Sequence, residues 1–395
     1  MNEFKLIDDV MPDVPPPSPA TIAAARAGLR PGAGGRPRLR GAILAAAATV
    51  ALIAAVTLVP RLGGDVTAVS PARPPVVTGD VRTDTASPPE RVIAAGGYAV
   101  SAYWIGRWVP ASGDVRELRR TWYLLDPRTA TYRETPWRWL DVAPGLRLAA
   151  VLEGDLPSRR VGILDLATRE VLDWIDLDHP AAGLSWSPDG KKILATAYAR
   201  HPDVREFTGG DPLMTKDSPS SRTGFTVIDV AERTTRFIAL PALSRRTAGR
   251  PGNQNARQDL QWSQDGTLIW GPTDTLPDKV FYDLDGRPHA TPAEPYVHYA
   301  KESTVSPDGR LEVTGPPLGV RDRATGKVVG TPDILQFLAW ADNDRMIALG
   351  CADRCSSEHR NGLVLVSADG KERIPLSGVR ENDEIGRWNW LLTRR

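Results

Sequence analysis

Residues 90–395 are built from short apolar strands separated by turns, with no long helical periodicity among them. One recurring pattern is an apolar strand, a tight turn and a second apolar strand. Proline presets φ at such a turn and glycine accepts the left-handed conformation, so Pro-Asp-Gly is favoured there. The pattern appears as LSWSPDGKKILATA from Leu184, LQWSQDGTLIWG from Leu260, TVSPDGRLEVTG from Thr304, LAWADNDRMIALG from Leu338 and, in degenerate form, DVAPGLRLAAVL from Asp141.

A second hairpin alternates with the first and occurs six times. Together the two hairpins predict a four-stranded antiparallel unit, which cannot bury both of its faces alone. Six such units predict an all-β fold, a six-bladed β-propeller of four-stranded antiparallel blades. The second hairpins are WYLLDPRTATYRE from Trp122, VGILDLATREVLDW from Val161, FTVIDVAERTTRFI from Phe225, VFYDLDGRPHA from Val280, GVRDRATGKVVG from Gly319 and LVLVSADGKERIPL from Leu363.

The two ends of the repeat region depart from the pattern. The first unit has no clear Ser-Pro-Asp-Gly turn, and ERVIAAGGYAVSAYW from Glu90 is predicted to supply its inner strands. The segment IGRWNWLLTR from Ile385 is a further strand candidate that could latch the first blade to the last. Sequence alone does not assign its partner strand.

The WSPDGKKILATA segment and its relatives resemble the repeats of the six-bladed propellers related to the TolB periplasmic protein and to the WD40-like Pro-Asp family. The resemblance covers about Glu90 to Arg395. It implies the fold but says little about function, because members of the family include scaffolds, peptidase substrate gates and sensors. The position before each turn holds Trp186, Trp262, Val305 and Trp340, which we expect in the core between blades.

An uncharged segment, Gly41 to Val59, precedes the repeats. As a helix it would extend roughly 28 Å, close to the ~30 Å hydrocarbon core of a bilayer. The long preceding segment favours a membrane anchor over the alternative, a secretory signal cleaved near residues 68–70. Arginines are denser before the segment than after it, so the positive-inside rule places the N-terminus in the cytoplasm. We therefore expect a single-pass protein of a bacterial cell membrane, with residues 90–395 outside the cytoplasm.

Two segments flank the predicted transmembrane helix at 41–59. Residues 60–89 are rich in proline and small residues, which predicts a semi-extended stalk. Residues 1–40 are predicted to form a largely disordered cytoplasmic arm. Its Asp-Val-Pro-Pro-Pro run and Ala-Arg helix resemble the arms of high-GC bacterial membrane proteins encoded beside extracytoplasmic-function sigma factors. That resemblance implies a cytoplasmic regulator such as a sigma factor, whereas a tail that only directs membrane insertion is the alternative.

Composition and motifs argue against several function classes. The 49 Lys+Arg residues nearly balance the 48 Asp+Glu residues, so no basic field indicates nucleic-acid binding. The sequence has no HExxH, GxSxG or GxxxxGK[ST] motif, and its five histidines stand far apart. We therefore predict a non-enzymatic protein without a cofactor or metal.

The two cysteines, Cys351 and Cys355, lie in one short segment. An oxidising extracytoplasmic compartment predicts a local disulfide between them. The alternative is a metal site completed by His359, but this spacing matches no common zinc motif.

Long insertions fall where the strand connections of a propeller share one face, and long loops on a rigid scaffold often bind partners. These insertions are Gly106–Arg120, Tyr198–Thr223, Ser244–Gln258 and Cys351–Asn361. They predict a basic binding rim composed of His201, Arg205, Phe207, Arg245, Arg246, Arg250 and Arg257. Arginine suits carboxylate-bearing partners, so we expect a protein, an acidic peptide or an anionic envelope polymer. Neutral growth of surface loops is the alternative.

The function predicted from these features is non-enzymatic binding, as a scaffold or as a sensor that signals through the arm. The alternative is a propeller hydrolase or lyase acting on an envelope glycan or lactone. An enzyme requires carboxylates, histidine or a metal converging on one axial site. A binder instead requires a broad surface of exposed aromatic and arginine side chains.

Overall fold

The computed structural model describes residues 81–208, 219–243, 257–273, 277–292, 297, 299–315, 317–353, 360–380 and 386–395. The predicted arm at 1–40, the predicted transmembrane helix at 41–59 and residues 60–80 of the predicted stalk lie outside the described residues. Within the described ranges, no helix has the length and apolar character that a membrane span requires.

The described residues form short strands joined by turns. The first are β1 (Val81–Arg82), β2 (Ala94–Ala95), β3 (Tyr98–Ser112), β4 (Val115–Asp126), β5 (Thr131–Glu134), β6 (Trp139–Val142), β7 (Leu148–Leu152), β8 (Ser158–Asp165), β9 (Val171–Trp186), β10 (Lys192–Tyr198), β11 (Val204–Glu206), β12 (Arg222–Asp229) and β13 (Thr234–Ala239). The others are β14 (Gln261–Trp262), β15 (Ile269–Pro272), β16 (Lys279–Tyr282), β17 (Pro288–His289), β18 (Leu311–Thr314), β19 (Gly319–Asp322), β20 (Val328–Gly330), β21 (Gln336–Trp340), β22 (Arg345–Gly350), β23 (Gly362–Ser367), β24 (Arg373–Pro375) and β25 (Trp388–Arg394).

These strands pair antiparallel in five sheets, which confirms the all-β prediction. The first sheet has the order β1-β2-β3-β4-β11, with β25 also on β3 and β5 also on β4. The second has the order β13-β12-β10-β9-β8-β7-β6, and the others are β14-β15-β16-β17, β18-β19-β20 and β21-β22-β23-β24. Strand β9 pairs with β8 along its first half and with β10 along its second half, so it joins two four-strand sets.

Strand β25 pairs with the N-terminal strand β3 over seven residue pairs, from Trp388 opposite Ile105 to Arg394 opposite Tyr98. The segment from Glu90 supplies β2 and the start of β3, which pair around the predicted turn at Gly96, where φ is +53°. The strand predicted from Ile385 is present as β25 and pairs along the edge of β3 opposite to β2. The prediction for the first unit is therefore right for β3, whereas its other inner strand is β25 and not a segment before Gly96.

The end of the predicted stalk is part of the sheet unit. Strand β1 pairs with β2, and the carboxylate of Asp84 accepts hydrogen bonds from the backbone N–H groups of Ala86, Glu90 and Arg91 at 2.6–2.9 Å. Residues 81–89 therefore differ from the predicted semi-extended stalk, because the hydrogen bonds of the half-buried Asp84 carboxylate and two backbone pairings attach them to the first sheet.

Apolar side chains pack between successive sheets. One cluster joins Leu124 of β4 to Leu140 and Val151 of the second sheet. Another joins Val100 of β3 and Trp388 of β25 to Ile347 and Leu363 of the β21–β24 sheet. The sheet containing the earliest strands thus packs directly against the sheet formed just before β25.

A repeated indole hydrogen bond fixes the spacing of neighbouring inner segments. Trp186 Nε1 donates to the carbonyl oxygen of Asp141 at 3.2 Å, Trp262 Nε1 donates to Ser185 at 3.0 Å, and Trp340 Nε1 donates to Thr304 at 2.9 Å. All three indoles are buried, which confirms their predicted place in the core. The fourth position holds Val305, which is half-buried and has no indole donor.

The Ser-x-Asp-Gly turns are held by their own side chains. In the turn at Ser187, the hydroxyl donates to Asp189 at 2.6 Å and accepts from the backbone N–H of Lys192 at 2.9 Å. The same pair of bonds recurs at Ser263, Ser306 and Ser367. The glycine that follows has positive φ in each turn, which is why a residue without Cβ is required there.

We predict that Trp340→Phe lowers the free energy of unfolding by about 1–3 kcal/mol, because it removes a buried hydrogen bond to Thr304 and leaves a cavity in the core, although the backbone N–H of Val313 still donates to the same carbonyl oxygen. Trp174→Phe is the matched control, since the half-buried indole of Trp174 packs under Arg160 and donates to no other described residue. Denaturant unfolding of both variants checks this. Equal losses in the two variants would contradict a special role for the indole bond.

Candidate functional site

The first strands of the sheets meet around one cavity of about 320 Å³, here called the inner cavity. Strands β6, β9, β14, β21 and β25 contribute to its wall, together with residues 299–302. Its polar lining is Asp141, Ser185, Gln261, Gln264, Lys301, Glu302, Gln336, Thr393 and Arg394, and its aromatic lining is Trp186, Trp262, Trp270, Tyr299 and Trp390. Charged and amide groups therefore converge in a pocket whose aromatic walls are fixed by the core.

Arg394 of β25 organises one side of the inner cavity. Its Nε donates to the hydroxyl of Tyr98 at 2.8 Å, and its terminal nitrogen pairs with Glu302 at 3.1 Å and with the side chain of Gln264. Burial alone would lower the pKa of Arg394, but Tyr98 and Glu302 raise it. The Tyr98 hydroxyl also donates to Glu302 at 2.7 Å. This arginine therefore stays charged and holds Glu302 in place.

Asp141 lines the inner cavity from β6, a strand that neighbours β25. Its carboxylate accepts a 2.6 Å hydrogen bond from the backbone N–H of Trp186. Burial raises the pKa of Asp141 to about 7, although this hydrogen bond and Lys301 oppose the rise and Glu302 adds to it. At neutral pH the carboxyl is therefore close to half protonated.

The segment carrying Lys301 and Glu302 is positioned by glutamine side chains. Gln264 donates to the carbonyl oxygen of Lys301 at 2.6 Å, and Gln336 donates to that of Tyr299 at 3.3 Å. Tyr299 has φ +59°, a conformation that costs free energy in a residue with a large side chain. The surrounding bonds thus hold a strained segment against the cavity.

A second group of polar side chains, here called the buried charge cluster, joins β4, β11 and the start of β14. Asp203 accepts from Arg120 at 2.6 Å and from Arg257 at 2.5 Å, and Arg257 also pairs with Asp259 at 2.8 Å. The guanidinium of Arg257 lies 3.7 Å from the ring centre of Trp139. Although burial opposes it, the two arginines hold the pKa of Asp203 at about 2.

The inner cavity and the buried charge cluster lie at opposite ends of the same strands. On β9, Ala182 accepts a hydrogen bond from Arg257, whereas Trp186 lines the cavity. Four residues of extended chain separate them, which corresponds to about 13 Å. Likewise, Trp139 contacts the cluster and Asp141 lines the cavity. The cluster therefore anchors the strand ends that lie away from the cavity.

The structure gathers the described residues of the predicted rim around this cluster rather than on an open basic surface. Arg257 and Phe207 are buried, and the latter packs against Trp108 with a ring separation of 5.0 Å. His201 accepts from the backbone N–H of Asp203, and burial lowers its pKa. Arg205 donates to the carbonyl oxygen of Pro202 at 3.1 Å. The other predicted rim residues, Arg245, Arg246 and Arg250, lie outside the described residues.

The predicted loop Gly106–Arg120 is instead the extended end of the β3–β4 hairpin. Strand β11 pairs with β4 there, through Val204 opposite Glu117 and Glu206 opposite Val115. The Gly113-Asp114 dipeptide, with Gly113 at φ +55°, was the available sequence signal for a tight hairpin turn here. The arginines of this region form ion pairs and stack on aromatic rings. The described part of the predicted rim therefore packs against the β3–β4 hairpin.

The predicted cysteine pair is described only in part. Cys351 is disulfide-bonded, and Cys355 lies outside the described residues. No group of three or more metal-ligating side chains occurs among the residues that the structure describes.

No protein-family model matches the chain, and no curated protein matches its sequence. Among solved structures, TolB from Acinetobacter baumannii is similar with a TM-score of 0.36 and 17% identity, over 74% of this chain and 66% of that one, just under two thirds of its length. An oligogalacturonate lyase in complex with manganese is similar with a TM-score of 0.38 and 13% identity, over 76% of this chain and 86% of that one. The β-propeller domain of Myceliophteria thermophila Cps50 (Swd1) is similar with a TM-score of 0.36 and 12% identity, over 72% of this chain and 98% of that one. These likenesses identify no ligand, partner or reaction for this chain.

We predict that the unfolding temperature of Asp141→Asn, relative to the parent chain, rises between pH 5 and pH 8. The folded chain retains the Asp141 proton up to pH about 7, whereas the unfolded chain releases it near the ordinary value of 3.8. Ionisation of this carboxyl therefore lowers stability as pH rises from about 4 to about 7, and asparagine removes that loss while keeping an acceptor for Trp186. Between pH 5 and pH 8 we expect the free energy of unfolding of Asp141→Asn to rise by about 2 kcal/mol or more relative to that of the parent chain.

Thermal unfolding across this pH range checks the prediction. Asp178→Asn, which alters an exposed carboxyl outside the cavity, is the control. A constant difference between Asp141→Asn and the parent chain at all pH values would show that the Asp141 pKa is not raised.

Proposed function

We propose that the chain is a six-bladed β-propeller, carried outside the cytoplasm by one membrane helix, that binds a small polar ligand in the inner cavity. The strand pairings support six blades. Each unit has four segments, in the order β25-β3-β4-β5, β6-β7-β8-β9, β9-β10-β12-β13, β14-β15-β16-β17, residues 304–306 with β18-β19-β20, and β21-β22-β23-β24. Packing of the first unit against the last supports a closed ring.

The observation that carries the binding proposal is the convergence of all six units on one polar cavity. Its volume of about 320 Å³ suits a ligand of monosaccharide size, at the lower end of the ~300–1,000 Å³ range of ligand pockets. The tryptophan walls and the turn bonds form before any ligand arrives, so little ordering is required on binding.

The charges of the inner cavity favour a ligand with one carboxylate. Arg394 and Glu302 neutralise each other in a direct ion pair. The ammonium of Lys301 makes no hydrogen bond to another described residue, and Asp141 offsets its charge only in part because of the raised pKa. One cation thus remains available, and the amide of Gln261 can bind hydroxyl groups. A hydroxylated monocarboxylate, such as a sugar acid, could pair its carboxylate with Lys301 and its hydroxyl groups with Gln261.

We predict that D-glucuronate binds the full-length chain and that Lys301→Met weakens its binding about tenfold or more, because a charge-assisted hydrogen bond is lost. Lys327→Met, which changes an exposed lysine outside the cavity, is the control. Isothermal titration calorimetry measures both, with D-glucose as the neutral comparison. Equal affinity of the parent chain and Lys301→Met, or the absence of binding by the parent chain, would contradict the proposal.

The second candidate is a hydrolase or lyase acting on an envelope glycan or lactone, and the raised pKa of Asp141 favours it. A carboxyl with a pKa of about 7 can exchange a proton at neutral pH, and Glu302 lies in the same cavity. Turnover of a glucuronide or glucuronolactone that Asp141→Asn abolishes would favour the enzyme. Binding without turnover favours the binder.

The topology of the proposal rests on the sequence and is supported by Cys351. A disulfide persists in an oxidising compartment, which agrees with residues 90–395 lying outside the cytoplasm. The arm at 1–40 would then be the part that meets a cytoplasmic regulator such as a sigma factor. Ligand, protein partner and membrane would thus contact three different segments.

We predict that alkaline phosphatase fused after residue 395 is active in a bacterial host, because the uncharged segment at 41–59 spans the membrane once with its N-terminus inside. A fusion after residue 40 should be inactive. Recovery of a soluble mature form that begins near residue 70 would contradict the anchor and indicate a cleaved signal.

A further inference from the structure

An open groove of about 530 Å³ lies on the first sheet, away from the inner cavity. We call it the tyrosine groove. It is lined by Tyr103, Tyr123 and Tyr132 together with Glu90 and Glu134, and residues 86–89 form one wall. No lining residue is basic, so the groove combines three aromatic rings with two carboxylates.

The aromatic rings are held in a fixed arrangement. Tyr103 and Tyr123 are opposite each other on β3 and β4, and their rings stack at 4.8 Å with an interplanar angle of 12°. Tyr132 lies edge-on to Tyr103 at 5.1 Å and donates its hydroxyl to the carbonyl oxygen of Val100 at 2.8 Å. The groove therefore presents a preformed aromatic surface.

The wall at residues 86–89 is also fixed. Asp84 accepts hydrogen bonds from the backbone N–H of Ala86, at the start of this wall, and from those of Glu90 and Arg91 just after it. The indole of Trp388 donates to the Ser87 hydroxyl at 3.0 Å. Because both sides of the groove are ordered by the fold, a ligand would lose little affinity to side-chain ordering.

The electrostatics of the groove favour a cation. The faces of tyrosine rings attract cations, and a guanidinium can stack on a ring while pairing with a carboxylate. Burial, together with Tyr123 and Glu90, raises the pKa of Tyr103 to about 12, so its hydroxyl stays neutral at physiological pH. Only the two glutamates then carry charge.

The chain itself contains the complete form of this arrangement. Arg160 lies 4.3 Å from the ring centre of Trp174 while its Nε donates to Glu153 at 2.6 Å. The tyrosine groove has the ring and carboxylate parts of the same triad, and a basic residue is absent from its lining.

We propose that the tyrosine groove binds an arginine side chain of a basic peptide supplied by a partner protein. The guanidinium stacks on the half-buried ring of Tyr123 and pairs with Glu134 or Glu90, while the peptide backbone runs along the wall at residues 86–89. This site is separate from the inner cavity and uses the opposite charge preference.

The test uses the full-length chain and the probe peptide acetyl-Gly-Arg-Gly-Arg-Gly-amide in isothermal titration calorimetry. We expect binding that weakens roughly five- to tenfold in the Glu90→Gln/Glu134→Gln double variant and also weakens as salt is raised from 50 to 300 mM. The control Glu170→Gln/Glu372→Gln makes the same change in net charge at exposed glutamates elsewhere and should bind like the parent chain.

Three results would overturn the proposal. These are equal binding of a peptide in which citrulline replaces arginine, equal affinity of the parent chain and the Glu90→Gln/Glu134→Gln variant, and preferential binding of an octaproline peptide. The unfolding temperature of each variant shows whether it is folded, and the glutamates are exposed, so their substitution spares the core. Lys301→Met should leave peptide binding unchanged. A negative result for the tyrosine groove would therefore leave the inner-cavity proposal standing, and the reverse also holds.

Discussion

The hydrogen bond from an indole N–H to the carbonyl of the neighbouring inner segment is the interaction on which the rest of the structure depends. It recurs at Trp186, Trp262 and Trp340, each time beside a turn that orients the strand. At Asp141 the same contact does two things, because Trp186 binds both the carbonyl and the carboxylate of this residue. The spacing of the sheets and the placement of a cavity carboxyl are thus set by one residue, the first through its indole and the second through its backbone N–H.

Local chemistry made much of the fold predictable. The Pro-Asp-Gly turns require particular φ values, and the tryptophans before them are too large to remain outside a core, so sequence pattern indicated both. The partner of β25 was not predictable, because the sequence of an apolar strand does not specify which unpaired strand edge it will pair with. The same is true of β11, whose three residues pair with a hairpin far away in sequence.

The candidate site was predictable only in its residue types. The arginines after Tyr198 suggested an exposed rim, but the structure places Arg257 against Trp139 and between two aspartates. Sequence spacing does not show that Asp203 and Arg257 meet, since 54 positions that include strands β11, β12 and β13 separate them. The inner cavity was missed because its charged members, Asp141, Lys301, Glu302 and Arg394, come from three different units and share no motif. Only the pairing and packing of the strands bring them together.

The pairing of β25 with β3 has a consequence for the order in which the chain can fold. Strand β3 leaves a ribosome long before β25, since residues that meet in this pairing, such as Ser101 and Thr393, are 292 positions apart. Until β25 has been synthesised, one edge of β3 has no permanent neighbour, and an open strand edge invites pairing with other chains. The nascent protein therefore completes its first sheet last, and its exposure to aggregation ends only when the final strand arrives.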